Sequence, residues 1–355
     1  MLVGKVEAIS PRSQETCLFD ITPSLVCVEQ IRVWTNPSGD NPYPKNLFKG
    51  VDMRKFLIIT VLLLSIIPFS AFAEGEREIQ PVVTETGITV MDSYDRSVTI
   101  GKAAARVVSL APSVTETIFA LGMGDILRGR TDYCDYPPEA RDVPSIGSLR
   151  EPDIEAIAEL EPDIVIASTH FTKESLDKLT SLSIPVVVLA DQDNFEGAYR
   201  TIENIARLIG AEREGKRIIT DMKTTVNNVM KAVKGKDMPS VYYVIGFGEY
   251  GEFTAGGDTF INQIIEMAGG NNIASGIKGW SFSLEQIIDS DPDILVCSKF
   301  WNAKNLLIET NGYKDLRAVQ TANLFEIDNN MLDRQGPRLA EGLRALAEII
   351  HPDAF

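Results

Sequence analysis

Strand-length apolar runs alternate with helix-forming segments through the first half of the chain. Residues 107–110, 164–167 and 185–189 form runs of the kind found in parallel strands that are buried on both faces. Residues 115–121 lie between the first two runs and have the spacing of a helix that ends at a glycine. This alternation predicts an α/β lobe with a mainly parallel sheet from about residue 104 to residue 192.

A β-hairpin is predicted before this lobe, because residues 88–90 and 97–100 are β-prone and flank a polar turn. After Pro239 the order of strand, loop and helix restarts. The predicted elements there are a strand at 241–245, helices at 259–267 and 284–288, and a strand at 294–296. The chain is therefore expected to contain a second α/β lobe.

A long amphipathic helix is predicted between the two lobes, at residues 211–235. The segment lacks proline and places apolar side chains at steps of three or four positions. These side chains are Ile218, Met222, Val226, Val229 and Val233. Such a helix would be about 35 Å long. It could join an N-terminal lobe at residues 74–210 to a C-terminal lobe at residues 236–355 as a rigid strut.

An internal repeat supports the two-lobe interpretation, because residues 153–168 and 283–298 share one pattern at an offset of 130 positions. In each copy an N-cap residue starts a short helix, a proline ends it, and an apolar strand follows. Glu155 and Glu285 occupy the second helical position of the two copies. The helix dipole favours a carboxylate there. The two acids could equally be contacts for basic residues of a partner.

Residues 53–73 have the three parts of a secretory signal peptide: basic residues, an apolar run at 56–68, and a cleavage site at Ala71 and Ala73. The run is too short for a membrane span, which takes about 20 apolar residues. We expect export to the periplasm with cleavage after Ala73. No cysteine follows Ala73 directly, so we expect a free protein and not a lipid-anchored one.

Residues 1–52 precede this signal, whose basic start normally lies at the N-terminus. We interpret Met53 as the start and residues 1–52 as a non-native leader; the alternative is a genuine extension. Two of the four cysteines fall in that leader. Cys134 and Cys297 remain, in different lobes, and we expect two separate thiols because nothing in the sequence pairs them.

Composition narrows the classes of function. The chain has 355 residues, 44% of them hydrophobic and 24% charged, which suits a globular protein of two lobes. Its formal charge of −16 disfavours nucleic acid as a partner. The sequence has no His-Glu-x-x-His, Gly-x-Ser-x-Gly or phosphate-loop motif, so no enzymatic activity is expected. A free transition-metal site is disfavoured because the chain has two histidines.

Six motifs, weak singly, are specific in their order along the chain. They are residues 106–116 (RVVSLAPSVTE), 132–138 (DYCDYPP), 161–166 (EPDIVI), 253–256 (FTAG), 268–273 (AGGNNI) and 336–339 (GPRL). From about residue 88 to its end, the chain resembles the periplasmic binding proteins of the cobalamin and ferric-siderophore class of ABC importers, and most closely their cobalamin-binding members.

The resemblance implies two α/β lobes with mainly parallel central sheets, joined by one long helix around a ligand cleft. It implies that one surface acid per lobe docks onto arginines of the membrane permease, and Glu155 and Glu285 match these acids by position. It assigns cleft contacts to Tyr133, Trp280 and Arg334. Where other family contacts are aromatic or acidic, this chain has Leu149, Ser168 and Asn330. The resemblance implies a corrinoid as cargo. The three departures leave fewer aromatic rings in the cleft, so the alternatives are haem, a ferric siderophore or a corrinoid other than cobalamin.

Further ligand candidates lie in loops after predicted strands, where α/β sheets bind ligands. The further aromatic candidates are Phe247, Tyr250, Phe253 and Trp301, for which ordinary packing is the alternative. His170 could coordinate the metal of a corrinoid or haem, or could be a simple surface residue. No resident cofactor is expected. The expected partners are a large metal-containing ligand and the ABC permease subunits, and the protein is expected to be a monomer.

Overall fold

The computed structural model describes residues 87–190 and 193–355. The expected leader, signal peptide and cleavage site lie outside these residues. Within them, no helix combines the length and the apolar character that crossing a lipid bilayer requires.

The predicted hairpin is confirmed as β1 (Ile88–Met91) and β2 (Ser97–Ile100), which pair antiparallel. Asp92 closes its turn, because one carboxylate oxygen accepts the backbone N–H groups of Tyr94 and Arg96, each at 3.0 Å. The same carboxylate forms an ion pair with the Arg96 guanidinium. The hairpin is tied to the lobe behind it by a 2.8 Å bond from the Ser93 N–H to the Val188 carbonyl.

The N-terminal lobe alternates strands and helices as the hydrophobic pattern predicts. Its elements are β3 (Val107–Ser109), α1 (Pro112–Ala120), β4 (Leu127–Arg130), α2 (Ile154–Glu159), β5 (Ile164–Ala167), α3 (Lys173–Ser181), β6 (Val186–Val188) and α4 (Phe195–Ile209). The four strands form a parallel sheet in the order β4-β3-β5-β6. The strand β4 was not predicted, because Arg128 and Arg130 interrupt its apolar character.

The long helix is confirmed as α5 (Glu212–Val233), which is one residue shorter at its N-terminal end and two residues shorter at its C-terminal end than predicted. All five predicted apolar positions are buried. At its start Gly215 lies against Ala206 of α4, and at its end Val233 lies against Gly269 of the second lobe. One apolar core therefore continues from the hairpin through α5 into the C-terminal lobe.

The C-terminal lobe follows the same order with additional short elements. They are β7 (Ser240–Val244), β8 (Glu252–Phe253), α6 (Phe260–Met267), β9 (Asn271–Asn272), β10 (Ser281–Phe282), α7 (Leu284–Ser290), β11 (Ile294–Ser298), α8 (Ala303–Glu309), α9 (Arg317–Gln320), β12 (Leu324–Ile327), α10 (Asn330–Asp333) and α11 (Leu339–Ile350). Its parallel sheet has the order β12-β11-β7-β9, and β8 pairs with β10 in a separate two-stranded ribbon.

The two sheets share one topology. If the four strands of each parallel sheet are numbered in chain order within their lobe, both sheets have the order 2-1-3-4. The repeat occupies equivalent places, since α2 leads into β5 and α7 leads into β11. The predicted N-caps are confirmed: the Asp153 carboxylate accepts the Ala156 N–H, and the Ser283 hydroxyl accepts the Gln286 N–H. The predicted α/β fold of two lobes is therefore confirmed.

Candidate functional site

The carboxyl ends of the two parallel sheets meet at a cluster of buried charges. Glu116 lies in α1, which follows β3 of the N-terminal lobe. Arg334 and Arg338 lie between β12 and α11 of the C-terminal lobe. Ligands of open α/β sheets bind at the carboxyl ends of the strands, so this junction marks the place where a cleft ligand would lie.

Glu116 is 3% exposed and is held by both arginines. The Arg338 guanidinium donates to its two carboxylate oxygens at 2.8 and 2.7 Å. Arg334 donates to one of them at 2.7 Å. Burial works to lower the pKa of each arginine, but the bonds to Glu116 outweigh it, so both pKa values are raised. Both guanidinium groups therefore stay charged, and the lobes are joined by a buried ionic cluster.

Each arginine also contacts a second group. Arg334 donates to the Asp135 carboxylate at 2.8 Å, and it reaches the Tyr133 carbonyl at 3.5 Å. The Arg338 guanidinium lies 3.7 Å from the centre of the Tyr136 ring. Charge pairing and stacking on an aromatic face together suit a planar guanidinium. The loop that follows β4 is therefore held against the C-terminal lobe.

Two further contacts close this junction. The Gln335 side-chain amide donates to the Asp193 carboxylate of the opposite lobe. Phe195 of α4 and Phe260 of α6 meet edge to face, with ring centres 5.6 Å apart. With α5, these contacts limit the relative motion of the lobes.

The structure brings Tyr133 and Arg334 together, whereas Phe253 and Trp280 are near each other only along the backbone of one ribbon. Tyr133 is 47% exposed and lies next to Arg334, whose side chain is committed mainly to protein carboxylates. Phe253 and Trp280 are neighbours across the β8–β10 ribbon, where the Thr254 N–H donates to the Trp280 carbonyl at 2.8 Å. Both aromatic side chains are half-buried, and Trp280 also packs on the apolar core.

His170 and Trp301 follow the carboxyl ends of β5 and β11 and are both exposed, Trp301 by 76%. Both have left-handed backbone, with φ of 71° and 56°. Bulky residues adopt this conformation rarely. The described residues contain no cluster of three or more His, Cys, Asp or Glu side chains that could hold a metal ion. Any coordination by His170 would therefore depend on a cargo that carries its own metal.

Glu155 and Glu285 are both exposed in the first turns of α2 and α7. The structure thus places one unobstructed acid on each lobe at equivalent positions of the repeat. Neither carboxylate takes part in an ion pair found among the described residues, so both are available to an external partner.

The expected separate thiols are confirmed, since Cys134 and Cys297 are both buried and free. A cavity of about 470 Å³ lies elsewhere, on the C-terminal lobe beside β12, α10 and α11. Its lining includes Phe325, Met331 and Ile349. All of its lining residues belong to the C-terminal lobe, and one of them, Asp328, lies 3.5 Å from Arg338 of the interlobe cluster.

Comparison with known proteins identifies the fold family. Residues 107–331 match the family described as Periplasmic binding protein. An uncharacterized ABC transporter substrate-binding lipoprotein of Bacillus subtilis is 31% identical over 289 residues, which make up 80% of this chain and 90% of the relative. The chain belongs to the periplasmic binding protein family. Members of this family are solute-binding transport proteins and not enzymes.

Other relatives of this periplasmic binding protein carry more specific names. A cobalamin-binding protein of Halobacterium salinarum is 29% identical over 297 residues, covering 80% of this chain and 78% of that protein. The apo structure of a periplasmic heme-binding protein from Roseiflexus is 27% identical, with a TM-score of 0.65 over 71% of this chain and 100% of that one. A periplasmic vitamin B12-binding protein of Vibrio cholerae shares the fold, with 22% identity, a TM-score of 0.61, and coverage of 71% and 98%.

The sequence reasoning missed most of the interlobe cluster of this periplasmic binding protein. Glu116, Asp135 and Arg338 were not singled out, although all three lie in the motifs that carry the resemblance. One signal was available: Glu116 interrupts the apolar face of a short helix. A buried carboxylate in such a place needs a cationic partner, but the sequence does not say which arginine supplies it.

Proposed function

We propose that this protein captures a corrinoid ligand, similar to cobalamin, in the cleft between its lobes and delivers it to the permease of an ABC importer. The observation that carries the proposal is the meeting of the two sheets' carboxyl ends at Arg334, with the exposed ring of Tyr133 beside it. The names of the relatives from Halobacterium and from several bacteria support a corrinoid as the cargo.

The chemistry of the cleft suits a large ligand with apolar faces. Tyr133 offers an exposed ring on the N-terminal lobe, and Phe253 and Trp280 offer half-buried rings on the C-terminal lobe. Ligand sites are mostly apolar, with few polar groups that orient the ligand. Arg334 would supply one such polar group, although Glu116 and Asp135 compete for its guanidinium.

Haem or a ferric siderophore is the second candidate cargo. The Roseiflexus relative, named as heme-binding, favours haem. The exposed His170 at the end of β5 supports it as well, because an imidazole can ligate haem iron. Trp301, exposed at the corresponding end of β11, would offer a stacking surface in the opposite lobe.

Titration of the purified protein with hydroxocobalamin, cobinamide, haemin and a ferric siderophore decides between these cargoes. We expect saturable quenching of tryptophan fluorescence and an altered absorbance spectrum with the corrinoids. A response to haemin alone would select the second candidate. A response to none of the four, together with binding of zinc or manganese, would contradict both. Product formed from any ligand would instead indicate an enzyme.

We further propose that Glu155 and Glu285 dock the loaded protein onto basic residues of the permease. Their exposure and their equivalent positions, one per lobe, support this role. The double variant Glu155→Ala with Glu285→Ala should bind ligand normally but should bind the cognate permease at least tenfold more weakly. Glu212→Ala with Glu309→Ala removes the same charge from exposed positions outside the repeat and is the control. Equal permease binding by the two double variants would refute the docking role.

Export to the periplasm is part of the proposal, with the signal peptide cleaved after Ala73. Membership of the periplasmic binding protein family supports the location, whereas the Bacillus relative is named as a lipoprotein. Intact-mass analysis of the protein recovered from its native host would give the mature N-terminus. A mass that begins at Glu74 without a lipid supports free export, and a lipid-modified mass contradicts it.

A further inference from the structure

A buried carboxylate in the C-terminal lobe is the starting point. Glu252 lies in β8 and is 8% exposed. No ion pair within the described ranges 87–190 and 193–355 includes it, although buried carboxylates ordinarily have a cationic partner. Among the described residues the Glu252 carboxyl group is therefore held by hydrogen bonds and not by an ion pair, so the donors of these bonds are informative.

Two hydrogen bonds attach Glu252 to separate parts of the lobe. The Tyr313 hydroxyl donates to one carboxylate oxygen. The Gly248 N–H donates to the other at 3.3 Å. Burial, together with nearby Tyr242 and Glu252, raises the pKa of Tyr313, so its hydroxyl stays protonated and remains a donor. The carboxylate thus links the loop at residues 246–251 to the 3-10 turn Tyr313–Asp315.

The linked loop belongs to the ligand-facing edge of the sheet. It follows β7, which runs parallel to β11 and β12, so it leaves the same edge as the segment that carries Arg334. Gly248 and Gly251 adopt φ of 95° and 102°, and the loop exposes the Tyr250 ring by 64%. The Phe247 ring packs edge to face on Tyr313, with ring centres 5.8 Å apart.

Glu252 is also the first residue of the two-stranded β8–β10 ribbon. In the β8–β10 pairing, Glu252 lies opposite Phe282, and Phe253 lies opposite Ser281, the residue after Trp280. A displacement of Glu252 would therefore move both the loop that carries Phe247 and Tyr250 and the strand that carries Phe253.

We propose that Glu252 and Tyr313 are positioning residues for the loop at residues 246–251. They do not touch the ligand themselves, but they hold the loop against it and so set the rate at which the ligand dissociates. The inference rests on the proposed function, because it assumes that the cleft holds a ligand. The hydrogen-bonded link between Glu252, Gly248 and Tyr313 can nevertheless be tested on the ligand-free protein.

The test compares two tyrosines of one buried cluster. Tyr313→Phe removes the hydroxyl that binds Glu252. Tyr242→Phe is the control for the neighbouring hydroxyl, because the Tyr242 hydroxyl lies beside that of Tyr313 but forms no hydrogen bond of regular geometry within the described residues. Hydrogen–deuterium exchange of the ligand-free proteins should be about tenfold faster at residues 246–251 in Tyr313→Phe, as the loss of a buried hydrogen bond implies, and should change much less in Tyr242→Phe.

Ligand kinetics supply the second readout. With hydroxocobalamin, or haemin if only haemin binds, Tyr313→Phe should dissociate about tenfold faster at a nearly unchanged association rate. Glu252→Leu should match or exceed this effect, and Glu252→Gln, which keeps one acceptor oxygen, should restore part of the affinity. If Tyr313→Phe does not fold, the dissociation rates of Glu252→Leu and Glu252→Gln test the proposal in its place.

Equal exchange of the loop in Tyr313→Phe and Tyr242→Phe would overturn the proposal, as would equal dissociation rates. If the wild-type protein binds none of the probes, the proposed function fails, and the exchange experiment still decides whether Glu252 and Tyr313 order the loop.

Discussion

Arg338 shows how a single residue can join two lobes. It is buried at the start of α11 and reaches across the junction to Glu116, to the ring of Tyr136 and, at 3.5 Å, to Asp328 of its own lobe. Sequence reasoning anticipated Arg334 near the lobe interface but not this partner, since the matching acid lies 222 positions away. Pairings over such distances depend on the tertiary fold and leave no periodic signal in the sequence.

Arg338→Met should destabilise the protein by about 3 kcal/mol, because it leaves the buried Glu116 with one cationic partner in place of two. The matched control is Arg344→Met on the same helix, whose ion pair with Glu348 is largely exposed and should contribute less than about 1 kcal/mol. Urea unfolding monitored by circular dichroism measures both. If both variants lose a similar free energy of unfolding, the interlobe cluster does not stabilise the protein more than an exposed ion pair does.

Asp92 should make the stability of the protein depend on pH. Burial opposes its ionisation, but the bonds from Arg96 and Tyr94 prevail and lower its pKa. The stabilisation is therefore present above the unfolded pKa of about 3.9 and is lost as the pH falls through the lower folded value.

Asp92→Asn should cost about 2 kcal/mol at pH 7, and the difference from wild type should shrink below about pH 4. Unfolding curves at pH 7, 5 and 3 test this, with the exposed Asp177→Asn as control. A difference between wild type and Asp92→Asn that stays constant across this range would show that the carboxylate charge is not the cause.

At the scale of elements, the sequence predicted best where one periodic pattern determines the structure. The helix α5 follows from apolar spacing, the strands β5 and β11 from continuous apolar runs, and the hairpin from two β-prone runs around a polar turn. The short strands β8, β9 and β10 were missed, because two residues carry no period and their pairing is decided by neighbours distant in sequence. The left-handed backbone at His170 and Trp301 was also not predicted, because positive φ is uncommon in residues other than glycine.

The crossing of α4 and α5 should be sensitive to one methyl group. A Cβ atom at Gly215 would lie 2.6 Å from the Cβ of Ala206, closer than such atoms approach. Gly215→Ala should therefore destabilise the protein, because a steric cost of about 1–3 kcal/mol exceeds a helix-propensity gain of about 1 kcal/mol.

The matched control exchanges the methyl between the helices. Gly215→Ala combined with Ala206→Gly relieves the close contact and should recover most of the melting temperature lost in Gly215→Ala. A single variant Gly215→Ala that melts above wild type would show that the two helices separate at little cost.

At the scale of the whole molecule, the duplicated topology explains why so much was predictable. The repeat at an offset of 130 positions implied two lobes, and the sheets confirm it with one strand order in both. The candidate site was less predictable. Its residues come from both lobes, and the tertiary fold brings them together through α5 and the interlobe contacts of Glu116. The choice of cargo depends on contacts that neither periodicity nor composition records.

The buried state of the two cysteines has a practical consequence. Burial raises the pKa of Cys297 to about 11 and also raises that of Cys134, so neither thiol is readily ionised. Maleimides and spin-label reagents react with thiolates, and these side chains should be inert to them. Cys17 and Cys27 precede the expected cleavage site after Ala73. A mature protein with cysteines introduced at Glu159 and Asp289 would thus accept one label per lobe in a wild-type background, and spectroscopy could follow the opening and closing of the cleft directly.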